Sequence, residues 1–172
     1  MNSDSCWRFS MVVKLANSSS ECIEQVRHSR IKVHDAGTGK SAVFLNLDKE
    51  RVRKIRMDGC LAPVGERAAD FVVSHPKIAD VIVELKSGDV EMWRCRDVDH
   101  ACAQVEATWA FWRSHKQYKE GHTVGVWIVC TQLPKFNSKV ARSRENLPKR
   151  GCILLVSAHN HEERSFPGFV PR

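Results

Sequence analysis

Two short β-branched runs, separated by seven residues, constrain this chain more than anything else in it. Ala69-Asp70-Phe71-Val72-Val73 and Val81-Ile82-Val83-Glu84-Leu85-Lys86 have the length and composition of strands. The connector Ser74-His75-Pro76-Lys77-Ile78-Ala79-Asp80 carries a proline and is short enough to close a hairpin. Side chains alternate along a strand, so Ile82, Glu84 and Lys86 share one face and Val81, Val83 and Leu85 the other. A hairpin symmetric about Lys77 sets Asp70 directly opposite Glu84. The two carboxylates are then about 5 Å apart, with Lys86 one side-chain step further on the same face.

Like charges facing each other across a sheet are destabilising. A hard divalent cation removes that cost, because Mg²⁺ is commonly held by one or two carboxylates together with water and substrate phosphate. A lysine beside such a metal can position or deprotonate an attacking water, or neutralise charge developing on phosphate. The competing reading of the same spacing is a salt-bridged edge hairpin with both acids in solvent.

Asp70, a short gap, and then Glu84-Leu85-Lys86 resemble the Asp…Glu-x-Lys signature of the PD-(D/E)XK, or restriction-endonuclease-like, nuclease superfamily. Ala69 stands where the proline of the signature would be. The predicted order around the motif is strand, strand with Glu-x-Lys, helix, strand, and the resemblance covers roughly residues 40–135. It implies that Asp70 and Glu84 bind Mg²⁺, for which Mn²⁺ can substitute, with the main-chain carbonyl of Leu85 as a further ligand. It also implies that Lys86 orients or activates water. A polar residue on the following helix can approach such a site, and Gln104 is the candidate; otherwise it is a solvated or structural glutamine. Two more acids could join the metal. Asp58 reads first as half of an Asp58-Gly59 turn, and Glu66, upstream of Asp70, reads equally as a surface partner for Arg67.

A chain of 172 residues suggests one domain, with a core large enough to stand alone. We expect a single nuclease-like domain over 1–172, its core at about 40–135, followed by a basic extension. No run approaches the ~18 apolar residues of a membrane helix, and residues 1–5 lack the order of a signal peptide. Seven cysteines without regular spacing suggest mostly buried thiols and a cytoplasmic protein. The net charge of +7, from 27 basic and 20 acidic residues, points to a polyanionic partner, nucleic acid first.

Along the chain, Ser20 could cap a short helix at residues 21–26. Gly37-Thr38-Gly39-Lys40-Ser41 imitates a phosphate-binding loop. His34 occupies the place of its first glycine, and a strand pattern follows where a helix is required, so this is a turn. Residues 42–47 and 52–57 read as the next hairpin, around Asp48-Lys49-Glu50. Asp80 has the parity of Glu84, but four residues of strand put it about 13 Å away. It is taken as a strand-start residue. Residues 90–95 suggest one more short strand, in which Trp93 either packs or stacks on a base. From 98 to about 117 the period becomes helical, with Val98, Ala101, Cys102, Val105, Trp109 and Trp112 on one face and Gln104 off it. Asp97 or Asp99 would cap it. A zinc site at Cys95, His100 and Cys102 would need a fourth ligand, and nothing positions His159 or His161 to supply it.

Residues 124–130 and 152–156 are continuous apolar runs and predict buried strands. Between them a basic tract carries Lys135, Lys139, Arg142 and Arg144. It is either an exposed face or a phosphate-contacting surface. The tail from 165 reads as loop. The fold expected is α/β, a mixed central sheet flanked by helices. The function expected is Mg²⁺-dependent hydrolysis of phosphodiester bonds in DNA, in host defence or DNA processing, with a homodimer or a defence-system partner compatible with the resemblance. The alternative from another class is a non-catalytic nucleic-acid-binding or interaction protein on the same fold.

Overall fold

The structure is a computed structural model that describes residues 21–37, 39–62, 67–86, 95–115, 123–129, 152–157 and 163–170, with 95–99, 113–115 and 152–157 described as backbone alone. It is mixed α/β and built mostly of strands. A six-stranded sheet has the order β1-β4-β5-β6-β7-β8, and a three-stranded sheet the order β2-β3-β9. The strands are β1 Ile23–Val26, β2 Arg30–Asp35, β3 Lys40–Leu45, β4 Val52–Arg56, β5 Phe71–Ser74, β6 Ala79–Leu85, β7 Thr123–Val129, β8 Cys152–Ser157 and β9 Glu163–Ser165. One long helix, α1, spans Cys95–His115. No helix among the described residues is long and apolar enough to cross a membrane.

The large sheet changes direction at β6. Strands β1, β4, β5 and β6 pair antiparallel, whereas β6–β7 and β7–β8 are parallel. A parallel neighbour requires a crossover rather than a tight turn, and α1 lies in the chain between β6 and β7. The helix covers one face of the sheet, where Val72, Ile82, Val126 and Ile128 pack with its Val105 and Trp109. The small sheet covers the other face. There Phe44, from β3, meets Trp127 of β7 edge-on at 5.2 Å between ring centroids. Coverage on both faces explains why β6 and β7 are almost uninterrupted apolar runs. Among the described residues the expected flanking by a helix holds for one face, and the layer on the other face is a sheet.

Several sequence expectations are corrected here. Residues 21–26 contain a strand, β1, rather than a helix, because Ile23 and Val26 pair with Ile55 and Val52 of β4. That pairing outweighs the capping signal at Ser20, which lies outside the described residues. Strands β3 and β4 are not a hairpin; they belong to different sheets. The bend between them is held by Asn46, whose Nδ2 donates to the carbonyls of His28 (3.1 Å) and Glu50 (2.9 Å). Helix α1 begins at Cys95, so Asp97 and Asp99 lie inside it rather than at its cap. The tail is not loop: Glu163–Ser165 adds to β3 in parallel, and a single 3₁₀ turn, Phe166–Phe169, buries both of its phenylalanines. Phe169 lies so close to β7 that a Cβ at Gly125 would sit 2.8 Å from it. Cys22 and Cys60 form a disulfide, which removes both from the expected set of thiols. Gly37 and Gly39 stand in turn conformation as expected, with Gly39 at φ +68° and β3 following directly.

Candidate functional site

The β5–β6 hairpin has the predicted register. Phe71 pairs with Val83, Val72 with Ile82, Val73 with Val81 and Ser74 with Asp80, which continues to Asp70 opposite Glu84. Asp70 lies just beyond the ladder, where its carbonyl accepts the N–H of Met57 (2.9 Å) and prolongs the β4–β5 pairing by one step. Each acid accepts a main-chain N–H from the other's strand. Asp70 Oδ2 takes that of Leu85 (2.6 Å), and Glu84 Oε2 takes that of Asp70 (3.2 Å). The pair is thereby oriented by backbone, without flexible side chains in between.

Glu84 is fully buried. Its Oε1 meets the ammonium of Lys86 as an ion pair, yet receives no aligned hydrogen bond. Lys86 Nζ donates to Gln104 Oε1 (2.8 Å), and Gln104 Nε2 donates to the carbonyl of Ala68 (2.8 Å). Gln104 is thus buried against the site rather than off the helix's packed face, a correction to the helical-stripe reading. The stripe marked apolar side chains and could not register a glutamine whose partners are a strand carbonyl and a lysine.

Electrostatics follow from this crowding. Burial, first of all, raises the Asp70 carboxyl to about 6. The Leu85 N–H and the Lys86 charge pull the other way, while Asp35 and Asp58 add to the rise. Burial and then the charge of Asp70 raise Glu84 to about 8, with Lys86 opposing. At neutral pH the pair therefore holds a proton that two ordinary carboxylates would have released. A divalent cation between them would take over the role of that proton.

Asp58 stands in an exposed type II turn, with Gly59 at φ +64° supplying the left-handed position. Its charge is felt at Asp70, as is that of Asp35 from the end of β2, a residue without any sequence signal for the site. Leu85 reaches the site through its N–H. Among the described residues, no group of three or more His, Cys, Asp or Glu side chains is placed to hold a metal ion. The candidate centre is two carboxylates and a lysine. Glu66, Trp93, Lys135, Lys139, Arg142, Arg144, His159 and His161 lie outside the described residues.

Asp80 is placed as the spacing argued. It is buried at the opposite end of β6, where Trp112 Nε1 donates to its Oδ2 (2.7 Å). The hairpin's connector is pinned by His75, also buried. Lys77 N–H donates to its Nδ1 (3.3 Å), which assigns the proton of the neutral ring to Nε2, facing Asp48 Oδ1 at 3.2 Å. Sequence reading missed Thr108, whose Oγ1 accepts the N–H of Ala69 (2.8 Å). Its spacing of one helical turn from Gln104 is the signal that could have found it.

Comparison with models of known protein families, with curated proteins and with solved structures finds no match.

Proposed function

We propose that this chain is a metal-dependent nuclease that hydrolyses phosphodiester bonds in DNA, on a restriction-endonuclease-like core. The observation that carries the reading is the placement of Asp70 and Glu84 opposite one another on one sheet face, with Lys86 held between Glu84 and Gln104. The strand order supports it: an antiparallel β4-β5-β6 run, a helix, and a parallel β7 put the Asp…Glu-x-Lys residues on adjacent central strands.

The donor set fits Mg²⁺. Two hard carboxylates face each other, and one buried oxygen of Glu84 lacks an aligned hydrogen bond. When bound, the metal would polarise the scissile phosphate and lower the pKa of a coordinated water. Asp70 and Glu84 would hold it, oriented by the N–H groups of Leu85 and Asp70. The ammonium of Lys86 has no free lone pair and is not a ligand. It sits one side-chain step from Glu84, where it can hydrogen-bond the attacking water or offset charge on the phosphate. Gln104 Oε1 holds that ammonium in place, because a lysine stem alone is flexible. The net charge of +7 suits a polyanionic substrate.

The test is cleavage of end-labelled single- and double-stranded DNA and RNA by the purified chain in Mg²⁺, Mn²⁺ or EDTA. DNA cleavage that needs the metal and is lost in Asp70→Asn and Glu84→Gln is expected. Cleavage of RNA alone would transfer the reading to that substrate. Metal-independent binding without any cleavage would leave a nucleic-acid-binding protein.

A further inference from the structure

We propose that Thr108 is a positioning residue for the acidic site. The inference rests on the metal-site reading above and assigns that site a support in α1. The peptide group between Ala68 and Ala69 lies one residue before Asp70. Both of its polar atoms are bound by side chains of α1, one helical turn apart. Gln104 Nε2 donates to the Ala68 carbonyl, and Thr108 Oγ1 accepts the Ala69 N–H, each at 2.8 Å. Residues four apart lie on one helix face, so the two side chains clamp a single peptide plane. Ala68, Ala69 and Thr108 are fully buried, so the clamp works where water does not compete.

The clamp holds the chain on the N-terminal side of Asp70, while the Met57 N–H holds the Asp70 carbonyl on the other. Asp70 lies outside the β5–β6 ladder, with Arg67 exposed shortly before it. The orientation of the preceding peptide is therefore set by α1. Asp70 must hold its Oδ2 on Leu85 N–H and its own N–H on Glu84 Oε2, and both bonds depend on that orientation. Gln104 also takes the Lys86 ammonium, so one turn of helix couples the positions of the first acid and the lysine. A hydroxyl that merely satisfied a buried N–H would matter to stability alone. One that positions a ligand must show in metal affinity.

The experiment compares full-length Thr108→Val, which keeps the shape but removes the acceptor, with Thr108→Ser, which keeps the acceptor. Trp112→Phe, one turn further along α1 and bonded to Asp80 instead, is the stability control. Mg²⁺ affinity is read by calorimetry and backbone position by amide exchange at Leu85, whose acceptor is Asp70. Thr108→Val is expected to lower Mg²⁺ affinity about 10- to 100-fold, the usual effect of losing a group that orients a ligand. Thr108→Ser should restore it, Trp112→Phe should leave it unchanged, and Leu85 exchange should accelerate in the valine variant alone. A valine variant destabilised like Trp112→Phe, with wild-type affinity and wild-type Leu85 exchange, would overturn the proposal. If the wild type binds no Mg²⁺, the metal reading fails by itself. Leu85 exchange then decides, faster exchange in Thr108→Val supporting the clamp and unchanged exchange overturning it. Should the valine variant not fold, Thr108→Ala, which also removes the acceptor without adding bulk, is read against the same two outcomes.

Discussion

Strand β6 buries two carboxylates, four residues apart and on the same face, and surrounds them in opposite ways. At one end Asp80 receives the indole N–H of Trp112, a neutral donor delivered by the helix. At the other end Glu84 faces a second carboxylate, and the neighbouring lysine is shared with Gln104. The first arrangement fastens α1 to the sheet. The second crowds two carboxyl groups in a buried setting, so that losing the last proton is opposed by burial and by the neighbouring charge, which folding alone gives no reason to build. A buried acid held by a helix-borne indole is consistent with architecture, and a crowded pair beside a lysine is what the proposed chemistry would use.

The sharpest way to break this contrast is to neutralise each acid in turn. Asp70→Asn and Glu84→Gln are expected to abolish Mg²⁺-dependent cleavage and to leave a folded chain, since each removes a ligand and also a repulsion. Asp80→Asn is expected to leave cleavage by the folded protein intact. An activity assay beside circular dichroism checks all three; cleavage retained in Glu84→Gln would make the two ends equivalent.

Lys86→Ala separates the lysine from the ligands. Cleavage should fall roughly a hundredfold or more, the scale for losing a positioned acid–base or electrostatic group. Mg²⁺ affinity should stay or rise, because a positive charge beside the cation is gone. Single-turnover rates and calorimetry measure the two effects separately.

At the other end, Trp112→Phe leaves a buried carboxylate oxygen without its indole donor. We expect a loss of about 1–3 kcal/mol in denaturant unfolding, with Mg²⁺ affinity unchanged.

The last prediction is the pH dependence of stability at the acidic end. The folded values, about 6 for Asp70 and about 8 for Glu84, lie above the unfolded ones of 3.8 and 4.5. Between those limits the native chain binds more protons than the unfolded one, so stability falls as pH rises. The contribution is full below the unfolded values and is lost as pH passes through 6 and then 8. Unfolding in EDTA should show this decline, Glu84→Gln should flatten it, and Mg²⁺ should stabilise more at pH 8 than at pH 6.

What was legible in the sequence is what depends on local periodicity. Alternation over residues 69–86, with a connector centred on Lys77, was enough to set Asp70 opposite Glu84 and to put Lys86 on their face. The same parity, with the rise of a strand, separated Asp80 from the site. The α1 helix announced itself through its 3–4 spacing, and β7 through its continuous apolar run. Each is a short-range consequence of backbone geometry.

The tertiary structure decided the rest, because it concerns partners distant in sequence. Strands β3 and β4 look like a hairpin by spacing, but β3 pairs with β2 and β9 whereas β4 pairs with β1 and β5, and Phe44 of β3 packs on Trp127 from the other layer. β1 becomes a strand because β4 offers an edge, and the tail becomes core because Phe169 finds a surface with no side chain at Gly125. Gln104 and Thr108 share one helical face, but that spacing does not show their target, one peptide group 36 and 39 residues away. Periodicity can say which way a side chain points, but a hydrogen bond between remote segments exists only once the fold has brought them together.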